Sequence, residues 1–192
     1  MVNADEFSRS LRGLSDLLNR RAEGLAQFEL SLPAFWRSFA AVLLTAPAYV
    51  VELALVRRNV EGAAVGLFDD PGLALLVGAG HVLAFLALPV AMIFVARRLG
   101  LGHRYVPFVI VTNWLQVFAS LALAVPGALL VLGWETPALT ALFTLAFTTI
   151  VLHVQWFATR VTLQVGALAA ALVTALGLAL SVGSTALVQA LA

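Results

Sequence analysis

The chain has 192 residues, of which 62% are hydrophobic and only 11% charged, with a mean hydropathy of +1.01. Soluble domains hold apolar residues to about half, so this composition excludes a water-soluble fold. Net charge is +1, every basic residue is Arg, and no cysteine is present, which excludes disulfides, thiolate metal sites and thiol catalysis. No nucleotide loop, nucleophile constellation or metal-ligand cluster is legible, so neither a cofactor nor a nucleic-acid partner is expected.

Residues 1–32 read as a cytoplasmic amphipathic segment. From Asp5 to Leu32 the pattern predicts one helix or a broken pair, with Phe7, Leu11, Leu14, Leu18, Ala22 and Leu25 on one face. Gly13 and Gly24 interrupt it, each weakening the helix by about 1 kcal/mol relative to Ala. Such a helix needs a surface: either the membrane interface beside the first span or a partner protein. Arg9, Arg12, Arg20 and Arg21 break any apolar core of a signal peptide, so the first span is expected to target the chain.

Residues 33–192 read as a five-helix transmembrane domain, because runs of about twenty apolar residues suit a bilayer core of about 30 Å. Span one covers about 35–56, with Phe35 and Trp36 as interfacial anchors and Arg37 snorkelling, and it ends at Arg57 and Arg58. A loop from Asn59 to Pro71 carries Glu61, Asp69 and Asp70. Span two covers about 73–96 and stops at Arg97 and Arg98; Gly100, Gly102, His103 and Arg104 make a polar turn. Span three covers about 106–128, and Trp134 and Glu135 mark the next interface. Spans four and five cover about 138–159 and 165–191. One helix of that joint length would far exceed a bilayer, so a tight reversal is required near Thr159–Gln164. The fold class is therefore all-α: a polytopic bundle of five transmembrane helices behind an amphipathic interfacial helix.

Arginine placement sets the orientation. With the N-terminus in the cytoplasm, Arg37, Arg97, Arg98, Arg104, Arg160 and the four tail arginines lie inside, and only Arg57 and Arg58 outside. The C-terminus is then periplasmic.

Polar residues within spans are costly and each needs a partner or a role. His81 follows Gly78 and Gly80 in span two. Asn113 and Gln116 share a face of span three, and His153, Trp156, Phe157 and Arg160 form a polar-aromatic stripe on span four. Asn113 and His153 each lie about 10 Å from the cytoplasmic end of their spans, a matching depth that would allow a hydrogen bond between antiparallel neighbours. His81, Asn113, Gln116, His153 and Arg160 form a candidate intramembrane network, read either as a proton or solute relay or as interhelical glue worth about 0.6 kcal/mol per bond. Glu52 lies near the outer end of span one, within reach of water or Arg57. Pro47 and Pro89 predict interior kinks, while Pro107 and Pro126 fall near span ends. Gly177, Ser181 and Thr185, spaced by four, form a candidate helix-packing face on span five.

An amphipathic segment followed by five closely spaced spans resembles the Yip1-like membrane protein family in layout. The acidic-Leu-Tyr-Gly-Pro signature of its eukaryotic members is replaced here by Ser31-Leu32-Pro33-Ala34-Phe35-Trp36, so no functional residue carries over. The resemblance implies a non-enzymatic membrane protein. The Lys-free composition and short loops point to a bacterial inner membrane. No catalytic residue is assigned: the three histidines sit on separate segments, too dispersed for zinc, and no acid neighbours His153 in sequence for a triad. The leading expectation is an accessory or organising subunit acting through helix–helix contacts, with lipid and either another membrane protein or a second copy as partners. The alternative is a small permease or channel using His81, Asn113, Gln116 and His153.

Overall fold

The structure is a computed structural model, and residues 4–60 and 69–191 are described. Glu61, in the expected loop after span one, lies outside the described residues. Among those described there is no strand. The elements are α1 (Ala4–Leu18), a 3-10 helix (Ala22–Gln27), α2 (Leu32–Phe39), a second 3-10 helix (Ala40–Thr45), α3 (Ala46–Val60), α4 (Pro71–Arg98), α5 (Gly102–Val131), α6 (Pro137–Leu163) and α7 (Ala167–Leu191). Five stretches are long and apolar enough to cross a membrane: Leu32–Arg58, α4, α5, α6 and α7. The protein is a multi-pass membrane protein whose apolar helices suit contact with lipid.

Three spans begin in the same way. Ser31, Asp70 and Thr136 each sit just outside a helix, and each side chain accepts a hydrogen bond from the backbone N–H three residues on, at 3.2, 3.0 and 3.4 Å. A proline in the first turn follows each of them, where its missing N–H costs nothing.

Span one is not one α-helix. The kink expected at Pro47 appears instead as six residues of 3-10 helix immediately before it. Pro47 has no N–H to give the Leu43 carbonyl, and Ala46 N–H serves that carbonyl across three residues. Pro89, by contrast, sits within a helix that runs unbroken from Pro71 to Arg98.

The reversal between the last two spans falls later than expected. α6 continues past Thr159 and Arg160 to Leu163, and the turn occupies residues 164–166. Gln164 takes the left-handed conformation (φ 53°), and Val165 N–H returns to the Arg160 carbonyl. The Arg104 guanidinium donates to the Gln164 side-chain oxygen, tying this turn to the one between α4 and α5.

The N-terminal segment forms the broken pair: α1, then a 3-10 helix folded back on it. Its buried stripe is Glu6, Ser10, Gly13, Leu14 and Leu17, whereas Phe7 and Leu11 of the expected apolar face are exposed. The reason is Arg37, whose Nε lies 3.1 Å from Glu6 Oε2 and whose Nη2 lies 2.8 Å from Glu29 Oε2. Rather than snorkelling, Arg37 draws Glu6 inward and turns α1 about its axis, leaving Leu11 exposed and Phe7 at the edge of the bundle, its ring centre 6.0 Å from that of Trp114. Gly13 and Gly24 are points of contact: a Cβ on Gly24 would stand 2.6 Å from the Gly13 carbonyl oxygen, and one on Gly13 would stand 2.9 Å from that of Gly24.

α5 lies at the centre, packed against α2, α3, α4 and α6; α7 closes the bundle between α4 and α6. The half nearest α1, here the near half, is filled by one core that includes Leu17, Phe35, Met92, Phe108, Trp114, Leu115, Val154 and Leu163. A smaller cluster, Leu53, Leu73, Val77 and Val188, joins α3, α4 and α7 at the far end.

A candidate cavity within the bundle

Between these two packed regions lies a cavity of about 360 Å³ to which α3, α4, α5, α6 and α7 all contribute. Its walls are mostly aliphatic, including Leu55, Leu88, Leu123 and Leu152, with Glu52, His81, Gln116, Ser120, Gln155 and Ser181 as polar groups. Leu178, Ser181 and Thr185 of α7 are its exposed lining residues and mark the open side.

The polar centre is one that spacing along the chain does not reveal. His81 stands about 15 Å along α4, and Glu52 about 12 Å from the far end of α3. Glu52 Oε2 and His81 Nδ1 are 2.9 Å apart, and His81 Nε2 is 2.8 Å from Thr45 Oγ1. Thr45 Oγ1 also donates to the Val42 carbonyl at 2.6 Å, within the 3-10 stretch. Tyr49 packs its ring 6.2 Å from the imidazole. Glu52, read from the sequence as an outer-end residue within reach of Arg57, is thus the partner of His81. The signal available for the pair was slight: a lone acid in span one and a lone histidine in span two at comparable depth from the same side.

The other candidates do not converge with it. Asn113 and His153 do not meet: matching depth fixes height but not direction around the helix. Asn113 Nδ2 donates to Ser38 Oγ at 2.9 Å, buried between α5 and α2. His153 Nε2 accepts from Arg20 Nε at 2.8 Å, on the near side of α6 and away from the cavity. Arg160 lies 5.7 Å from the centre of the Trp156 ring, whose indole N–H donates to the Ala167 carbonyl at 3.0 Å. Gln116 lines the cavity, but its amide donates to the Phe85 carbonyl at 3.2 Å. Phe85 is four residues before Pro89, so Gln116 supplies the donor that the proline lacks and keeps α4 continuous.

The small-residue face of α7 borders the cavity, with Ser181 and Thr185 at its open side. Gly177 faces Leu88 and Gln155.

Compared with protein-family profiles, with curated proteins and with solved structures, the chain matches none.

Proposed function

We propose that the chain is a small permease that takes a solute into the five-helix cavity. The observation that supports this reading is the Glu52–His81 pair, set on the wall of a space to which five spans contribute. An ionisable side chain at mid-membrane costs at least about 2.5–3.5 kcal/mol, and such residues mark solute or proton paths. Polar groups that serve only as glue need no cavity around them; Asn113 with Ser38 is the contrasting case in this same bundle. The open side lies along α7, at Leu178, Ser181 and Thr185; on this reading the N-terminal segment is cytoplasmic, as the arginine bias supports, and the membrane is a bacterial inner membrane.

Flux in proteoliposomes tests the reading. Glu52→Gln should reduce solute or ion flux at least tenfold at unchanged protein level, an effect of the size expected for one charge-assisted contact. Undiminished flux in a correctly folded variant overturns it. His153→Ala should leave flux unchanged, because that ring faces Arg20.

The accessory-subunit reading draws on a different observation. Residues 138–150 of α6 include no buried side chain, and Leu139, Leu142, Phe143 and Leu145 are exposed. A discrete complex with other polypeptides after gentle extraction would favour it. Leu142 and Leu145 are then the positions to substitute, since Gly177 packs within the chain. The Yip1-like layout is carried by the spans alone and adds no residue to either reading.

A further inference from the structure

Glu52 reaches the cavity with one oxygen to spare. His81 holds Oε2, and Oε1 has no partner among the described residues. The Glu52 side chain is 31% exposed and lines the cavity. Among the described residues no arginine lines the space. Among the described residues, the ionisable groups around His81 are Glu52 and Tyr49, both from α3, and the Tyr49 hydroxyl is engaged with the Ala74 carbonyl at 2.9 Å. α5, α6 and α7 turn only neutral polar groups, such as Gln116, Gln155 and Ser181, toward it.

Hydrogen-bond accounting limits how many protons the pair can hold. Thr45 has one hydroxyl hydrogen, and it points to the Val42 carbonyl. With that hydrogen on Val42, the 2.8 Å contact between His81 Nε2 and the Thr45 oxygen is made by a hydrogen on Nε2. Between Nδ1 and Glu52 Oε2 a further hydrogen is needed. Both hydrogens together make the pair imidazolium with carboxylate, or neutral imidazole with carboxylic acid; the proton count is the same and the net charge is zero. Removing one proton leaves Nδ1–H on the carboxylate and turns Nε2 into an acceptor. The Thr45 hydroxyl then swings from Val42 to His81, and the pair carries one negative charge.

We infer that the cavity binds a monovalent organic cation with an apolar body, an alkyl- or arylammonium, against Glu52 Oε1, in exchange for that single proton. The inference rests on the cavity being the solute site. One cation enters as one proton leaves His81 Nε2 for water; only the N–H bond breaks, and no electron moves. The cavity is electrically neutral in both states, which a low-dielectric setting strongly favours. Its volume of about 360 Å³ lies near the lower end of the usual ligand range, about 300–1,000 Å³, and its aliphatic walls suit the body of a small amine.

The test is calorimetric titration of the full chain in lipid nanodiscs with benzyltrimethylammonium, in buffers of different protonation enthalpy across a pH series. Saturable binding is expected, with about one proton released per cation and an affinity that falls about tenfold per pH unit on the acid side. Glu52→Gln should weaken binding by at least about tenfold, and phenylpropanoate, an anion of like shape, should not bind. The wild-type pH series carries the test if that variant misfolds. Absence of binding, binding without proton release, or equal binding of the anion overturns the inference. Binding with proton release but no flux in proteoliposomes upholds it and overturns the permease reading. Glu52-dependent flux of another solute without cation binding does the reverse.

Discussion

Arg20 Nε donates to His153 Nε2 at 2.8 Å, joining the N-terminal segment to α6 across 133 positions of the chain. Arg20 itself is left-handed (φ 57°), which ends α1 and turns the side chain toward the bundle. A guanidinium can only donate, so His153 Nε2 is the acceptor in this contact. Arg20→Ala should speed hydrogen exchange across residues 4–28 by roughly fivefold, or about 1 kcal/mol for a solvent-facing contact, while α4 to α7 exchange as before. His153→Ala should do the same, and the double variant should add little to either. Additive effects would show that the two side chains act separately.

Gln116→Leu should destabilise the bundle by about 1–3 kcal/mol, because the Phe85 carbonyl is left without a donor. The diagnostic experiment is rescue. Pro89→Ala restores a backbone N–H at the position that serves Phe85, so Gln116→Leu in that background should cost far less. An equal cost in both backgrounds, read from thermal unfolding in detergent, would rule out the repair.

Gly13→Ala and Gly24→Ala should each loosen the fold of α1 against the 3-10 helix, by about 1–3 kcal/mol as for other overpacked contacts. For isolated helices the same substitutions would be stabilising by about 1 kcal/mol. Limited proteolysis between Leu18 and Leu32 separates the two signs: faster cleavage is the expected result, slower cleavage the contrary one.

Acid should release the same segment. A hydrogen bond from Ser31, and after it one from Arg37, holds the Glu29 carboxyl below its ordinary value of 4.5. A depressed carboxyl contributes stability above its unfolded value, and that contribution disappears as pH falls through the folded one. Protection of residues 4–28, taken relative to the intrinsic exchange rate at each pH, should therefore fall as pH drops below 4.5, and this step should be missing in Glu29→Gln. An unaltered acid step in that variant would assign it to another group.

The five spans were legible because lipid imposes a single demand, a long apolar helix, and the chain meets it five times with arginines as punctuation. The ends of α4 and α7 fall within about two residues of expectation, an ordinary fraying distance. The cross-bundle pairs were harder to read. Asn113 chose Ser38 and His153 chose Arg20 because partners depend on how each helix is turned about its axis, which packing decides. The two glycines of the N-terminal segment look like weaknesses in a one-dimensional pattern and become contacts only once the segment folds back. Glu52 and His81 were each visible, but nothing in the spacing along the chain joins them.

The 3-10 stretch before Pro47 has a consequence for the register of span one. A 3-10 helix advances about 120° and 2.0 Å per residue, an α-helix about 100° and 1.5 Å. Rewinding Ala40–Thr45 as α would shorten the span by about 3 Å and rotate everything beyond it by roughly 120°. The Glu52 carboxylate would then point away from His81 and the cavity wall. Six residues of winding therefore act as a screw thread, setting which way the one membrane-embedded acid faces among the described residues.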